Sequence, residues 1–233
     1  MIKSFANCYY RKRIFPILSL IVALIFPAMP ALSQVLSLDE LAGKIQRVYD
    51  HTVDFRAAFV QEATIKSMER TTREGGTVYL KKPERMLWDY TDPSMKKLVI
   101  NPRKAWLYLP EEEIVYVQDA KNVLSSKMTI RFLTGIGRLK DDFDMAFSPD
   151  GPTDAEGDYV ILLTPRGYEA GIKTLVLTVN KDTFHITGCV FTDLYDNDTR
   201  LTFSNIEFNT DPPDELFEFT PPPGVKIYNV QGQ

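Results

Sequence analysis

The stretch Lys82-Pro83-Glu84-Arg85-Met86-Leu87-Trp88-Asp89-Tyr90 joins a turn to a short aromatic strand. Pro83 among polar residues marks the turn, and the side chains after it alternate in character. Successive side chains of a strand point to opposite faces of its sheet, so Met86, Trp88 and Tyr90 share one face. The stretch therefore predicts a strand with one strongly apolar face.

Short runs rich in β-branched and aromatic residues continue on both sides of this stretch, separated by turn residues such as Pro, Gly and Asp. The predicted strands cover residues 55–64, 75–82, 86–90, 97–100, 105–109, 114–119, 143–147, 158–164, 174–180, 186–193, 199–208 and 225–230. Short strands at regular spacing are typical of an antiparallel meander. We therefore predict a mainly β fold built on an antiparallel sheet, in one domain over residues 34–233.

Two further strands carry apolar side chains at alternating positions. Trp106 and Tyr108 share a face of one strand, and Val115 and Val117 share a face of the next. We expect neighbouring strands to align these faces with that of residues 86–90 in one concave wall. The candidate cavity residues are Met86, Trp88, Tyr90, Trp106, Tyr108, Val115 and Val117. The alternative interpretation is that this wall is simply the core of the sheet.

Helical patterns occur at two places. Ser37 and Glu40 have the spacing of a capping box, and apolar residues then recur at helical spacing up to residue 50. A second helical segment is predicted around residues 127–134, between two serines and two glycines. The sequence therefore predicts a helix before the sheet and another that interrupts it.

The first 33 residues have the order of a secretory signal peptide. Three basic residues at 11–13 precede a charge-free apolar run over 14–26, and Ala31-Leu32-Ser33 supplies small residues one position apart. The run is too short to span a bilayer, which needs about 20 apolar residues. We expect residues 1–33 to be removed near Ser33–Gln34 and the rest of the chain to be exported.

Removal of that segment makes the protein more acidic. The segment contains four of the 27 basic residues and no acidic residue, which leaves 31 acidic side chains against the rest and a net charge of about −8. An acidic surface disfavours nucleic acid as a partner. Only Cys189 remains after cleavage, and its apolar neighbours predict a buried thiol.

Residues that could carry catalysis or hold a metal are scarce. The two histidines, His51 and His185, have no Cys or acidic partner at ligand spacing. The sequence contains no nucleophile-elbow, zinc-protease or phosphate-binding glycine motif. We therefore predict a protein that is not an enzyme and uses no cofactor and no metal.

Several short fragments recur in the order of a known family. They are Phe55-x-x-x-Phe59-x-Gln61, Gly76, Lys82-Pro83 followed by Trp88, Leu98-Val99, Trp106-Leu107-Tyr108-x-Pro110, Phe132-Leu133-x-Gly135, Leu139-x-x-Asp142-Phe143, Thr164-Pro165 and Phe217-x-Phe219-x-Pro221-Pro222-Pro223-Gly224-Val225. Together they resemble the outer-membrane lipoprotein carrier (LolA) family over residues 38–228. Each fragment is short, and their number and order make the set specific.

The resemblance implies an incomplete antiparallel β-barrel, a half-barrel, with helices that form a lid over a hydrophobic cavity. The cavity would take the acyl chains of a lipoprotein, with Met86 and Trp88 at the family's apolar cavity positions. We expect both helical segments to close over this wall. The candidate lid residues are Leu41, Ile45, Met128, Phe132, Leu133 and Ile136.

The resemblance also implies location and partners. The protein would act in the periplasm as a monomer, take acylated lipoproteins from an inner-membrane lipoprotein-releasing ABC transporter, and deliver them to an outer-membrane receptor or to the outer membrane itself. The family usually has Arg before the signature Pro, where it holds the lid closed, and this chain has Lys82. Because Lys is a flexible point charge and Arg a planar fork, we expect a weaker latch.

Two other functions fit the same residues. A periplasmic sensor or interaction module would use the same half-barrel. A carrier of another amphiphile, such as a glycolipid or phospholipid, would need the same apolar wall.

Overall fold

The computed structural model of the chain describes residues 36–126, 138–167 and 171–230. Within them, 12 strands form one sheet. The strands are β1 (Asp54–Ile65), β2 (Arg70–Lys81), β3 (Arg85–Asp92), β4 (Lys96–Ile100), β5 (Lys104–Leu109), β6 (Ile114–Asp119), β7 (Phe143–Phe147), β8 (Tyr159–Pro165), β9 (Ile172–Val179), β10 (Ile186–Asp193), β11 (Asp198–Phe208) and β12 (Lys226–Asn229). Each predicted strand is present, and β2 begins five residues earlier than expected.

The strands are ordered β12-β6-β5-β4-β3-β2-β1-β11-β10-β9-β8-β7, so that β12 and β7 form the two edges of an unclosed sheet. Neighbouring strands are antiparallel except β12, which runs parallel to β6. The prediction of a mainly β, half-open antiparallel barrel is therefore confirmed. The signal-peptide prediction for residues 1–33 lies outside the described residues.

Three α-helices are described: α1 (Leu38–His51), α2 (Ala120–Ser126) and α3 (Leu139–Asp142). The predicted capping box begins α1, because the Ser37 hydroxyl accepts from the Glu40 backbone and the Glu40 carboxylate accepts from the Ser37 backbone at 3.0 Å. The helix expected around residues 127–134 lies outside the described residues. None of the helices described is long and apolar enough to cross a membrane.

Both faces of the sheet bury apolar side chains. One face, here called the inner face, packs against α1 and carries the larger core, which includes Ala57, Val78 and Ile100. The other, here called the outer face, carries a smaller core around Leu87 and Val99. Neighbouring residues of β3 alternate between these cores, as a pleated strand requires.

The segment after β11 covers the outer face. It contains a 3₁₀ turn at Asp214–Phe217, and the Phe217 side chain is completely buried in the outer core. The chain then pairs as β12 with β6, and five strands separate β6 from β11 in the order of the sheet. This C-terminal segment, residues 209–230, therefore takes the place of a second layer on the outer face.

Candidate functional site

An aromatic cluster forms the centre of the inner face. The centroid of the Phe59 ring on β1 lies 4.6 Å from that of the Trp88 ring and 5.0 Å from that of the Tyr90 ring, and both pairs are edge to face. Phe59 and Tyr90 lie on strands that β2 separates, and the residue between them is Gly76. Because Gly76 has no side chain, the two rings meet above it, and a Cβ there would lie only 2.0 Å from the Asp89 carbonyl oxygen.

Helix α1 packs against the inner face. Its Leu41 and Ile45 side chains are almost fully buried and belong to the same core as Met86 and Trp88. Met86 is fully buried, and the Trp88 Nε1–H donates to its Sδ at 2.9 Å. In this conformation the helix therefore contributes to the core that also buries the candidate cavity residues of β3.

Lys82 ties the C-terminal end of α1 to the turn before β3. Its Nζ donates to the Tyr49 carbonyl oxygen at 2.6 Å, and its backbone N–H donates to Val53 O at 2.8 Å. Tyr49 lies in the last turn of α1, where carbonyl oxygens carry the negative end of the helix dipole, and its oxygen also accepts from the Thr52 N–H at 3.3 Å. Lys82, the candidate latch residue, is therefore in direct contact with the helix above the inner face.

Further contacts hold α1 along its length. Lys140 of α3 forms an ion pair with Asp39 at 2.7 Å, and Leu139 N donates to Gln46 Oε1 at 3.4 Å. The Tyr49 hydroxyl is buried, and desolvation raises its pKa above the usual value. The helix is thus held by an apolar underside and by polar contacts at Asp39, Gln46 and Tyr49.

The structure divides the seven candidate cavity residues between the two faces. Met86, Trp88 and Tyr90 lie on the inner face. The four on β5 and β6 lie on the outer face with Phe217 and Leu87: Trp106, Tyr108, Val115 and Val117. The prediction that all seven form one wall is therefore wrong.

Strand register is the reason for this division. Trp88 pairs with Leu98 and Leu98 with Leu107, whereas Trp106 pairs with Val99. Paired residues share a face, so Trp106 falls on the side opposite to Trp88. The length of the turn could have predicted this, because four residues separate Ile100 from its partner Ala105. That length sets the register and therefore decides which residues of β5 face inwards.

The inner-face residues of β4 to β6 were missed by the sequence analysis. Leu98, Leu107 and Tyr116 pair across these strands and are only half-buried. Tyr116 also stacks on Tyr228 of β12 with ring centroids 5.6 Å apart. The aromatic cluster therefore continues as a half-buried apolar strip, here called the inner strip, towards the β12 edge. The candidate lid residues Met128, Phe132, Leu133 and Ile136 lie outside the described residues.

The histidine rings and the cysteine thiol, which are often used in catalysis, make the contacts of structural residues here. The His51 ring contacts the Arg47 carbonyl oxygen at 2.7 Å, and the His185 ring stacks on Phe208 at 3.9 Å. Cys189 is buried as predicted, and desolvation raises its pKa. Over the part of the chain that is described, no group of three His, Cys, Asp or Glu residues is arranged to hold a metal ion.

Comparisons with known proteins agree with this architecture. The family model described as outer membrane lipoprotein carrier protein LolA matches residues 50–220. The outer-membrane lipoprotein carrier protein of Methylococcus capsulatus is 28% identical over 186 residues, 80% of this chain and 86% of that protein. The protein of the same name from Hahella chejuensis is 23% identical over 211 residues, 91% of this chain and 97% of that protein.

The likeness to one solved structure concerns the fold and not the function. The crystal structure of an uncharacterized conserved protein from Thermus thermophilus superposes with a TM-score of 0.52 at 13% sequence identity. The alignment covers 84% of this chain and 100% of that chain.

Proposed function

We propose a function from one premise: this chain belongs to the outer-membrane lipoprotein carrier (LolA) family, whose model matches residues 50–220. The family consists of carriers and not of enzymes. We propose that this protein binds the acyl chains of lipoproteins in the periplasm after an inner-membrane ABC transporter releases them. It then delivers them to an outer-membrane receptor or to the outer membrane.

The observation that carries the proposal is an apolar inner face whose cover is a separate helix. Two apolar side chains of α1, Leu41 and Ile45, are buried in the inner-face core that also contains Met86 and Trp88. An acyl chain has the same apolar character as these two side chains and would replace them when the helix moves away. The inner strip, with Leu98 and Leu107 half-buried, would extend the binding surface towards β12.

Replacement of the α1 side chains by acyl chains also explains how the cargo is released. A buried methylene contributes about 0.8 kcal/mol, so several acyl chains in an empty groove would bind almost irreversibly. Displacement of Leu41 and Ile45 costs about 3–6 kcal/mol of apolar burial, at about 1.5–3 kcal/mol for each side chain. The polar contacts of Lys82 and Lys140 are lost in addition. The helix thereby lowers the net affinity to a value from which cargo can be transferred.

Two neighbouring residues of β5 test the proposal. Leu107 and Tyr108 are both half-buried, but Leu107 lies on the inner face and Tyr108 on the outer face. We expect Leu107→Glu to weaken binding of a fluorescent triacylated lipopeptide at least tenfold, because it brings a carboxylate against the acyl chains. We expect Tyr108→Glu to leave the affinity within about twofold, since that side chain does not face the cargo.

Met86→Glu extends the same test to the centre of the cluster. Because Met86 is fully buried, the far-ultraviolet circular dichroism and thermal unfolding of this variant have to match those of the wild type before binding is compared. Equal lipopeptide affinities of the Leu107 and Tyr108 variants would contradict the assignment of the inner face. Native mass spectrometry of the purified protein identifies bound cargo, and glycolipid or phospholipid in place of lipoprotein would change the cargo assigned.

A further inference from the structure

A polar network interrupts the apolar inner face at the end opposite to Lys82. It consists of Gln61 on β1, Glu74 on β2, Tyr90 on β3 and Lys96 on β4, and it is here called the inner polar network. Gln61 pairs with Glu74, and Tyr90 pairs with Lys96, so each pair shares a face of the sheet. Tyr90 belongs to the inner core, which places its partner Lys96 on the inner face.

The four side chains form a continuous set of contacts. Lys96 Nζ forms an ion pair with Glu74 Oε1 and lies 4.2 Å from the centre of the Tyr90 ring. Gln61 Nε2 donates to Glu74 Oε2 at 3.2 Å, and the Tyr90 hydroxyl donates to Gln61 Oε1 at 3.3 Å. The network therefore presents donors and acceptors side by side and carries no net charge.

The ion pair is held partly out of water. The side chains of Lys96 and Glu74 are only 24% and 23% exposed. Desolvation raises the pKa of Tyr90, and the Glu74 carboxylate raises it further. A partly buried ion pair gains little stability over apolar residues of the same size, so stability alone does not account for its position on an apolar face.

The distance from Lys82 to the network suits an acylated ligand. Asp54 of β1 pairs with Lys81 beside the latch, and Gln61 lies seven residues further along the same strand. At about 3.3 Å per residue this is about 23 Å. A set of acyl chains spans half of the roughly 30 Å core of a bilayer, about 15 Å. The apolar part of the inner face is therefore long enough for acyl chains that end at the network.

We propose that the inner polar network binds the ester and amide groups that join acyl chains to their head group. Lys96 and the Tyr90 hydroxyl donate to carbonyl oxygens, and Glu74 and Gln61 accept from an amide N–H. The chain ends then point towards α1 and Lys82. This inference rests on the proposed function, because it assigns one end of the same acyl-chain site.

A matched pair of ligands tests this role directly. Both are cysteinyl lipopeptides with the same peptide and two chains of equal length, joined through esters in one and through ethers in the other. The ether lipopeptide lacks the carbonyl oxygens and keeps the apolar chains. Because a hydrogen bond to a charged donor is lost with the carbonyl, we expect the wild-type protein to bind the ester lipopeptide about tenfold more tightly.

Lys96→Met removes the donor and keeps a side chain of similar length. We expect it to weaken binding of the ester lipopeptide about tenfold and to leave that of the ether lipopeptide within about twofold. Lys97→Met is the matched control, because Lys97 lies next to it on the outer face and pairs with Asp89 at 3.2 Å. Lys97→Met should keep the full preference for the ester, and Lys96→Arg should keep part of it.

The outcomes separate this inference from the proposed function. Equal loss of both ligands in Lys96→Met would overturn the inference and assign the network a structural role that joins β1 to β4. Equal binding of ester and ether by the wild type would also overturn it while leaving the carrier function intact. If the wild type binds neither lipopeptide, the proposed function itself fails.

A diester phospholipid as a third ligand distinguishes the two sources of the carbonyl groups. Tighter binding of the lipopeptide identifies a lipoprotein as the source, and tighter binding of the phospholipid identifies a membrane lipid. With either source, we expect Lys96→Met to weaken binding of the preferred ligand, and unchanged binding would overturn the inference.

Discussion

Lys81 and Lys82 are adjacent in sequence but hold different parts of the protein. Lys82 Nζ donates to Tyr49 O at the end of α1, on the inner side. Lys81 Nζ contacts Asp211 at 2.9 Å, Pro212 O at 2.7 Å and Asp214 at 2.9 Å, all in the C-terminal segment. We therefore expect Lys82→Met to loosen α1 and Lys81→Met to loosen residues 211–214.

The magnitude follows from the contact that Lys82 loses. A hydrogen bond with a charged donor contributes about 1.5–3 kcal/mol, and the lower value applies because Lys82 is only half-buried. A loss of about 1.5 kcal/mol makes local opening of α1 about tenfold more frequent. Lys82→Arg supplies a planar fork of donors at the same place, so we expect it to make opening of α1 less frequent than in the wild type.

Hydrogen exchange followed by mass spectrometry measures both segments in one experiment. Peptides that cover residues 38–51 should exchange about tenfold faster in Lys82→Met, with little change over residues 209–219. The pattern should be reversed in Lys81→Met. Unchanged exchange of α1 in Lys82→Met would refute the latch assignment. Faster exchange of both segments in either variant would indicate a loss of global stability instead.

Three further predictions concern the core and its response to pH. Gly76→Ala should lower the free energy of unfolding in urea by about 1–3 kcal/mol, because the new Cβ would lie 2.0 Å from the Asp89 carbonyl oxygen. Gly75→Ala should lower it less, because a Cβ at Gly75 would lie 3.3 Å from its nearest neighbour, the Phe59 carbonyl oxygen. Equal losses would contradict the close approach. Phe217→Ala should lower the free energy of unfolding by about 3–5 kcal/mol in the same assay, because it leaves a cavity in the outer core. Lipopeptide affinity should not change, and weaker lipopeptide binding would show that the two faces are coupled. Desolvation lowers the pKa of His185, so the unfolded chain binds that proton more readily and stability should fall as the pH drops below about 6.5. His185→Gln should flatten the change in melting temperature between about pH 6.5 and pH 5, and an unchanged pH profile would exclude His185 as its source.

Local structure was largely predictable from the sequence because its causes are local. The box of Ser37 and Glu40 begins α1 through contacts only three residues apart. Alternation of side chains predicted which residues within each strand share a face, as for Met86, Trp88 and Tyr90. Turn residues between the runs predicted the strand boundaries within two residues, except at the start of β2.

The relation between strands depended on the tertiary structure. Alternation assigns two faces to a strand but does not say which face of the next strand lies on the same side, and one residue of register exchanges them. Trp106 and Val117 therefore fell on the outer face, beneath Phe217. The position of Phe217 itself depends on a C-terminal segment that crosses the sheet from β11 to β6, which no local pattern indicates.

The candidate site shows the same division. The residue pattern alone predicted an apolar strand after the Lys82-Pro83 turn and an amphipathic helix before the sheet. Only the tertiary structure brought Lys82 to Tyr49, and Gln61, Glu74, Tyr90 and Lys96 into one network. The physical reason is that propensity and side-chain alternation act between near neighbours in the chain. Contacts between distant residues require strand pairing and packing to be in place first.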